Sequence, residues 1–514
     1  MKFKILIGLT LGLIATLANA ASWQLPSGYF VPAKLPLTVV NPRPDSETAN
    51  WARNRLAYPD GTMQYRVPVA IQGGAYPYHF ELVSGPSGMS IGQDITDQDY
   101  GIVTWTPTTS GGPYTVSVKV TDQELNTTTA TWTVTATTSG FVFVDPNAAN
   151  GGDGSKAHPF NNTDAVFGST PTSATYSGYQ MIFRGGTTAM HGPESNGNVT
   201  LQNNNKPVVW LGYTGENATL DFSHLKALIN TNQNDIWIEG LNIKNARTDV
   251  TDYHFFYFST NSTNNRTVFF ENNFSNIGYS NSANDPVNQA CILMFNGGVL
   301  RNYFTFMGNS LDQFQASFID IYATKYAVIE NNKLLNGIAP SPEAAFYLKS
   351  DLQNITVRRN VSLSQSYGYG AIYIPQQAQI FSNANFEIAY NVMLSGDISK
   401  PIVRYEWMGS GQANNNNPQL YVYRNTFRGN IQGLDDFPYT VHLDNNVLVN
   451  SAGNYGDTTG NNRVVIPQNN LTATPGNNVI DLDGNLVGNG AQYRGTRGYE
   501  IFTGVNPLSA PSWN

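Results

Sequence analysis

One local pattern limits the fold more than any other feature of this chain. It recurs in the segments NDIWIEGLNIKNA, NRTVFFENNFSNIG, TKYAVIENNKLLNG, LQNITVRRNVSLSQS, NFEIAYNVMLSG, PQLYVYRNTFRGN and YTVHLDNNVLVN. Each is a short alternating strand, a polar corner and a second short apolar piece. An asparagine recurs at the corner: Asn273, Asn309, Asn332, Asn360, Asn391, Asn425 and Asn446, at spacings of 36, 23, 28, 31, 34 and 21 residues. An irregular repeat of roughly 20–40 residues with one strand pattern per turn signals a solenoid. The alternation has period two, so the solenoid is built of strands and not helices.

Composition follows from that architecture. The 514-residue chain has 60 asparagines, 55 of them after residue 140. Successive coils of a parallel β-solenoid stack ~4.8 Å apart. A side-chain amide donates on one side and accepts on the other, so it can bond the same residue above and below. Asparagine also tolerates the left-handed backbone that sharp corners use. Stacked lysines or glutamates would repel, which explains why charged residues are only 12%, about half the usual share.

The first 20 residues read as a secretory signal: Lys2 and Lys4, an apolar run over 5–17, then Ala18-Asn19-Ala20. A secreted or periplasmic protein is therefore expected, with residues 21–33 as a leader segment. Beyond this signal no apolar run approaches the ~20 residues of a bilayer span. The net charge is −8 with no lysine-arginine cluster, which excludes nucleic acid as a partner. No membrane insertion is expected, and a monomer is. A polyanionic ligand would need locally placed cations.

Residues 34–138 read as a β-sandwich, with alternating strands such as Tyr114–Thr121 and Thr131–Thr135 between turn residues. The pieces GGAYPYHFELVSGPSGMSI, GIVTWTPTTSGGPYTVSVKVTD and TATWTVTAT resemble bacterial Ig-like, cadherin-like modules. Residues 139–514 carry the solenoid pattern. The segment Phe141–Phe160 and the corner asparagines resemble the right-handed parallel β-helix superfamily of pectate-lyase-like proteins. The implied fold is all-β: an N-terminal Ig-like β-sandwich, then a parallel β-helix catalytic domain.

A solenoid lets columns be read by aligning coils. The strands preceding the corner strands are FFYFS (255–259), CILMF (291–295), FIDIY (318–322), AFYLK (345–349), AIYIP (371–375) and IVRYE (402–406). Second and fourth positions are mostly apolar and face inward. Third and fifth positions face outward: Tyr257/Ser259, Leu293/Phe295, Asp320/Tyr322, Tyr347/Lys349, Tyr373/Pro375 and Arg404/Glu406. A solvated face would carry Ser, Thr and Asn. Tyrosines beside charges suit saccharides, which stack on rings and hydrogen-bond at their edges. His254 precedes the first of these strands and joins Tyr257, Asp320, Tyr322 and Glu406 as a substrate-binding candidate.

Distance separates the possible chemistries. A glycoside hydrolase needs two carboxylates roughly 5–9.5 Å apart. Asp320 and Glu406 sit three rungs apart, roughly 14 Å, so a hydrolase would draw on Asp351, Glu343, Asp435 or Asp436. A lyase cleaving uronate chains by β-elimination needs a cation at the sugar carboxylate and a base for the adjacent carbon-bound proton. Lys349 and Arg404 are two rungs apart, roughly 10 Å, with Tyr373 between. On this reading Arg404 holds the carboxylate, and Lys349 is the base, its pKa lowered by a neighbouring cation. Tyr373 or Tyr347 moves a proton. A surface ion pair of Lys349 with Asp320 or Asp351 is the competing account.

The segment Phe346-Tyr-Leu-Lys349-Ser350 through Asn360 resembles the catalytic-lysine coil of polysaccharide lyase families 6 and 9, which implies Lys349 as base. Family 6 places an arginine-histidine pair on the next coil, where this chain has Tyr373-Ile374-Pro375. Family 9 implies calcium held by clustered aspartates, and here only Asp312 and Asp320 fall nearby. Calcium therefore stays open as a cofactor, and no metal ligand is assigned. The expected partner is an acidic polysaccharide cleaved by β-elimination. A hydrolase, or a non-catalytic matrix or adhesin protein, remains the alternative.

Overall fold

The computed structural model describes residues 23–48, 52–95, 97, 99–167, 176, 178–190, 199–201, 207–223, 227–229, 234–246, 254–258, 265–277, 290–294, 300–312, 317–337, 344–349, 352–364, 367–376, 385–407, 419–432, 440–449, 464–468, 471–473 and 499. At 165, 167, 199–201, 227–229, 254, 257, 290–294, 336, 337, 376, 407, 464–468 and 471–473 only the backbone is described.

The N-terminal strands form a β-sandwich. One sheet runs in the order Leu56–Ala57, Thr127–Ala136, Gly111–Thr121, His79–Ser84; the other holds Tyr65–Pro68, Ile102–Trp105 and Ser90–Ile91. The long strands bury alternate residues (Val116, Val118, Val120, Val134) around Trp132. The Trp132 indole donates to the Tyr65 hydroxyl at 2.7 Å. The residues read as a leader are part of this body: Val31 is buried, and the Leu25 amide donates to Gln123 at 2.7 Å.

From Phe141 onward the chain coils as a parallel β-helix. Each full coil gives one strand to each of three parallel sheets, of 12, 11 and 9 strands. The twelve-strand sheet carries an inward column Val142, Met181, Trp210, Ile238, Phe269, Phe306, Ile329, Val357, Ile388, Val422, Leu443. Each of these side chains is buried in one continuous core.

The outward face of that sheet is also covered, because the sandwich docks along it. Val209, Leu211, Trp237, Val268, Phe270, Met307 and Val328 share an apolar cluster with Val67, Ile71, Tyr76 and Tyr78 of the sandwich. Charged residues seal the joint. Arg53 pairs with Glu239 at 3.1 Å. Arg66 pairs with Glu271. Arg358 donates to Glu330 at 2.7 Å, to the Tyr78 hydroxyl at 2.7 Å and to the Ile71 carbonyl at 2.9 Å. A parallel sheet buried on both faces reads as a continuous apolar run, and Thr267–Phe270 is buried at all four positions.

The corner between the twelve-strand and eleven-strand sheets holds the asparagine ladder. Its members are Asn272, Asn309, Asn332, Asn360, Asn391, Asn425 and Asn446, all at most 1% exposed. In each pair the lower residue's side-chain nitrogen donates to the next Oδ1, at 2.9–3.2 Å. The lower backbone amide shares the same acceptor. This corrects the sequence reading at one rung: Asn273 is exposed, and its side chain bonds Asn242 instead. The left-handed residue is the one before the ladder member: Glu271, Gly308, Asn331, Arg359, Tyr390, Arg424 and Asn445 all have positive φ. Asparagine is thus selected at the ladder for its amide, more than for tolerance of the left-handed backbone.

Candidate functional site

The nine-strand sheet presents the face on which the sequence placed the site. Its register stacks Tyr257, Leu293, Asp320, Tyr347, Tyr373, Arg404 and Gln432 on successive rungs. The neighbouring inward column is Phe256, Ile292, Ile319, Phe346, Ile372, Val403 and Ile431. These apolar residues anchor the strands in the core and oblige the intervening positions to point out. Asp320, Tyr322, Tyr347, Lys349, Tyr373, Arg404 and Glu406 therefore share one side of the sheet.

They form two ion-paired groups. In the first, the Lys349 ammonium donates to Asp320 Oδ2 at 2.8 Å, reaching back one rung. It also lies 4.1 Å from the Tyr347 ring centroid and 4.9 Å from that of Tyr322. In the second, Arg404 donates to Glu406 Oε2 at 2.9 Å, and the Tyr373 hydroxyl donates to the same oxygen at 2.6 Å. The two groups touch through rings: Tyr347 meets Tyr373 edge-on at 4.7 Å.

One aromatic neighbour falls outside the strand alignment. Tyr369 stacks on Tyr373 with centroids 4.8 Å apart and planes at 10°, and the Arg404 guanidinium lies 5.3 Å from its centroid. It stands on the turn before the strand, where the alignment of strand positions did not look. Gly370 makes the turn, with φ of +132°. A Cβ there would also come within 3.4 Å of the Arg404 amide. The Tyr367-Gly-Tyr369-Gly370 run directly before Ile372–Gln376 was the available signal.

Burial decides the electrostatics of the first group. The Asp320 carboxyl is pushed up to about 6 by loss of water, with the attraction of Lys349 offsetting only part of that. Its Oδ1 is buried with no hydrogen-bond partner among the described residues. Burial alone would lower Lys349, but Asp320 and Tyr322 outweigh it and hold the ammonium above its ordinary value. The premise that a neighbouring cation lowers Lys349 is thereby corrected. The side chain leans towards the acid on the previous rung and not towards Arg404. The ion pair with Asp320 exists, and it is largely buried: side-chain exposures are 20% and 8%. In the second group burial, then the proton acceptor Glu406, raises Tyr373 well above the usual phenol range.

The other candidates sort by position. Tyr257 and His254 lie on the strand His254–Phe258, with Tyr257 two rungs before Asp320 in the same column; their side chains are outside the described ones. Glu343, Asp351, Asp435 and Asp436 lie outside the described residues. Asp320 stands three rungs from the rung of Arg404 and Glu406, roughly 14 Å, too far for a hydrolase pair. Asp312 belongs to the eleven-strand sheet and Asp320 to the nine-strand sheet. No group of three His, Cys, Asp or Glu residues suited to a metal occurs among the described residues, so no calcium cage is assembled from them. Among the described residues no helix is long and apolar enough to cross a membrane.

Comparison with known proteins adds three findings. Residues 46–137 match the family described as Putative Ig domain, so the docked sandwich is an Ig-like domain. No curated protein matches the chain. Among solved structures the chain is similar to pectate lyase Pel9A, with 14% identity and a TM-score of 0.34, over 68% of this chain and 84% of that one.

Proposed function

We propose that this is a secreted or periplasmic, monomeric enzyme that cleaves a uronate-containing extracellular polysaccharide by β-elimination on the nine-strand sheet. The observation that carries the reading is the outward column itself. Two cations, a protonated phenol and a proton-accepting carboxylate lie within three rungs, interleaved with rings on which sugars stack.

The chemistry can be assigned from these contacts. Arg404, planar and partly exposed, meets the sugar carboxylate and stabilises charge that develops as the adjacent proton leaves. Lys349 and Asp320 act as one proton-accepting unit. At rest the pair holds one proton, on the amine. After reaction it holds two, one on each partner, so its net proton affinity is that of Asp320, about 6. That value suits a general base working near neutral pH. The amine takes the substrate proton as its own passes to Asp320 across the 2.8 Å contact. The ammonium holds its proton above the ordinary lysine value while the carboxyl takes one at about 6, so the neutral amine is a minor form of the resting pair and the two transfers are concerted.

The electron pair released from the carbon–hydrogen bond forms the sugar double bond and expels the glycosidic oxygen. That oxygen takes the Tyr373 proton, which the high pKa of the phenol keeps in place until then.

The test is a panel of acidic polysaccharides assayed for the ultraviolet absorbance of the conjugated unsaturated uronate. New reducing ends without that absorbance would refute elimination. Full turnover by Lys349→Ala would refute the assigned base.

A further inference from the structure

The site that binds the polymer is itself electrically balanced. Within the strands Ser317–Ile321, Ala344–Leu348, Ile372–Gln376, Pro401–Trp407 and Asn430–Gln432 and their immediate ends, the cations are Lys349, Lys400 and Arg404. Lys349 is matched by Asp320 at 2.8 Å and Arg404 by Glu406 at 2.9 Å. Lys400 precedes its strand and stands four residues before Arg404, roughly 13 Å along it. The sequence between these strands and their neighbours along the chain adds no further positive charge. Residues 338–343, 350–351, 377–384, 408–418 and 433–439 contain no lysine or arginine, but they do contain Glu343, Asp351, Asp435 and Asp436. The whole chain is at −8.

Apolar recognition on the same face is extensive by comparison. Tyr322, Tyr347 and Tyr369, each partly exposed, lie around the two cations at ring-contact distances, while Tyr373 is buried against Tyr347 and Tyr369.

Resting on the elimination reading, we infer that the substrate is a sparsely charged heteropolysaccharide, with one uronate among several neutral sugars per repeat, and not a homopolymer of uronates. A homopolyuronate crossing these rungs would bring a carboxylate with every sugar. One can displace Glu406 from Arg404 or Asp320 from Lys349. The next would face the carboxylate just displaced, and among the described residues of these strands the remaining cation is Lys400 at the far end of its strand. Unpaired like charges brought together in a partly dry site oppose binding strongly. Neutral sugars between uronates would instead lie on the tyrosines, where stacking needs no charge.

The experiment uses the full chain in equilibrium calorimetry, with polygalacturonate and alginate on one side. On the other are bacterial exopolysaccharides carrying one uronate in a repeat of four or more sugars. Unsaturated-product formation is followed separately on the same samples. The expected result is at least about tenfold tighter binding of the sparsely charged polymers, with affinity that changes little between low and physiological salt. Equal or tighter binding of the homopolyuronates, or a steep fall of affinity with salt, overturns the inference, as does binding of neither class. Binding of the sparse polymers without unsaturated product leaves the inference standing and removes the elimination reading instead.

Discussion

Asn360→Ala tests whether the asparagine ladder carries the stability of the solenoid. The Asn360 amide donates to the Ile329 carbonyl at 2.9 Å and to Asn391 Oδ1 at 3.0 Å. Its oxygen accepts from the Asn332 amide at 3.0 Å and from the Asn332 side chain at 2.9 Å. The substitution removes all four bonds in a site with no exposure. It leaves a backbone carbonyl and a backbone N–H buried without these partners. At about 1 kcal/mol net per bond, with orphaned buried groups at the upper end of the range, the loss is about 4 kcal/mol. Asn273→Ala is the matched control. It removes an exposed bond to Asn242 at 3.1 Å and one from Ser310, worth below about 1 kcal/mol together. Guanidinium unfolding of both variants, with hydrogen exchange at the Asn332 and Asn391 amides, measures the difference. Solenoids unfold in part as separate repeats, so the exchange data locate the loss. A cost for Asn360→Ala no larger than for Asn273→Ala would refute the claim that the buried ladder, and not asparagine content, holds the coils.

Other outcomes follow from the site and the docked face. Because Asp320 takes a proton at about 6 in the folded chain, kcat/KM should rise with pH through about 6, and Asp320→Asn should remove that limb along with most of the rate. The sign for stability is opposite. The folded state binds this proton more tightly than the unfolded chain does, so the pair's contribution grows as pH falls from about 6 towards 4, seen in pH-dependent unfolding midpoints. Arg404→Lys keeps the charge but loses the planar fork; KM for the acidic polymer should rise severalfold in steady-state kinetics. Arg358→Ala strands Glu330 at a buried contact and should cost about 3–5 kcal/mol. Proteolysis of the sandwich should then outpace that of the solenoid, whereas uniform protection would exclude the docking role.

Much of this architecture can be read from alternation. The column Asp320, Tyr347, Tyr373, Arg404 follows from apolar neighbours at every second position, and the strand register matches it rung for rung. The ladder is legible to within one residue. Where two asparagines adjoin, as at Asn272–Asn273, the spacing does not say which turns inward; burial does. The direction in which Lys349 leans is not legible, since a flexible four-carbon stem can reach either neighbouring rung. Nor is the docking of the sandwich, although near-continuous apolar runs such as Val268–Phe270 imply that something covers the second face. Tyr369 escapes any strand alignment because a turn delivers it.

Solenoids ordinarily tolerate the gain or loss of whole coils, because each contacts only its neighbours. The sandwich removes that freedom here. It grips the helix at Glu239 through Arg53 and at Asp444 through Lys34, seven rungs apart in one column, roughly 34 Å. Between these grips Arg66 meets Glu271, and Tyr78 meets Arg358. A coil inserted or deleted in this span would move each partner out of reach by one rung. The N-terminal domain thus works as a gauge that fixes the number of coils, and with it the distance from the Lys349 rung to the Arg404 rung.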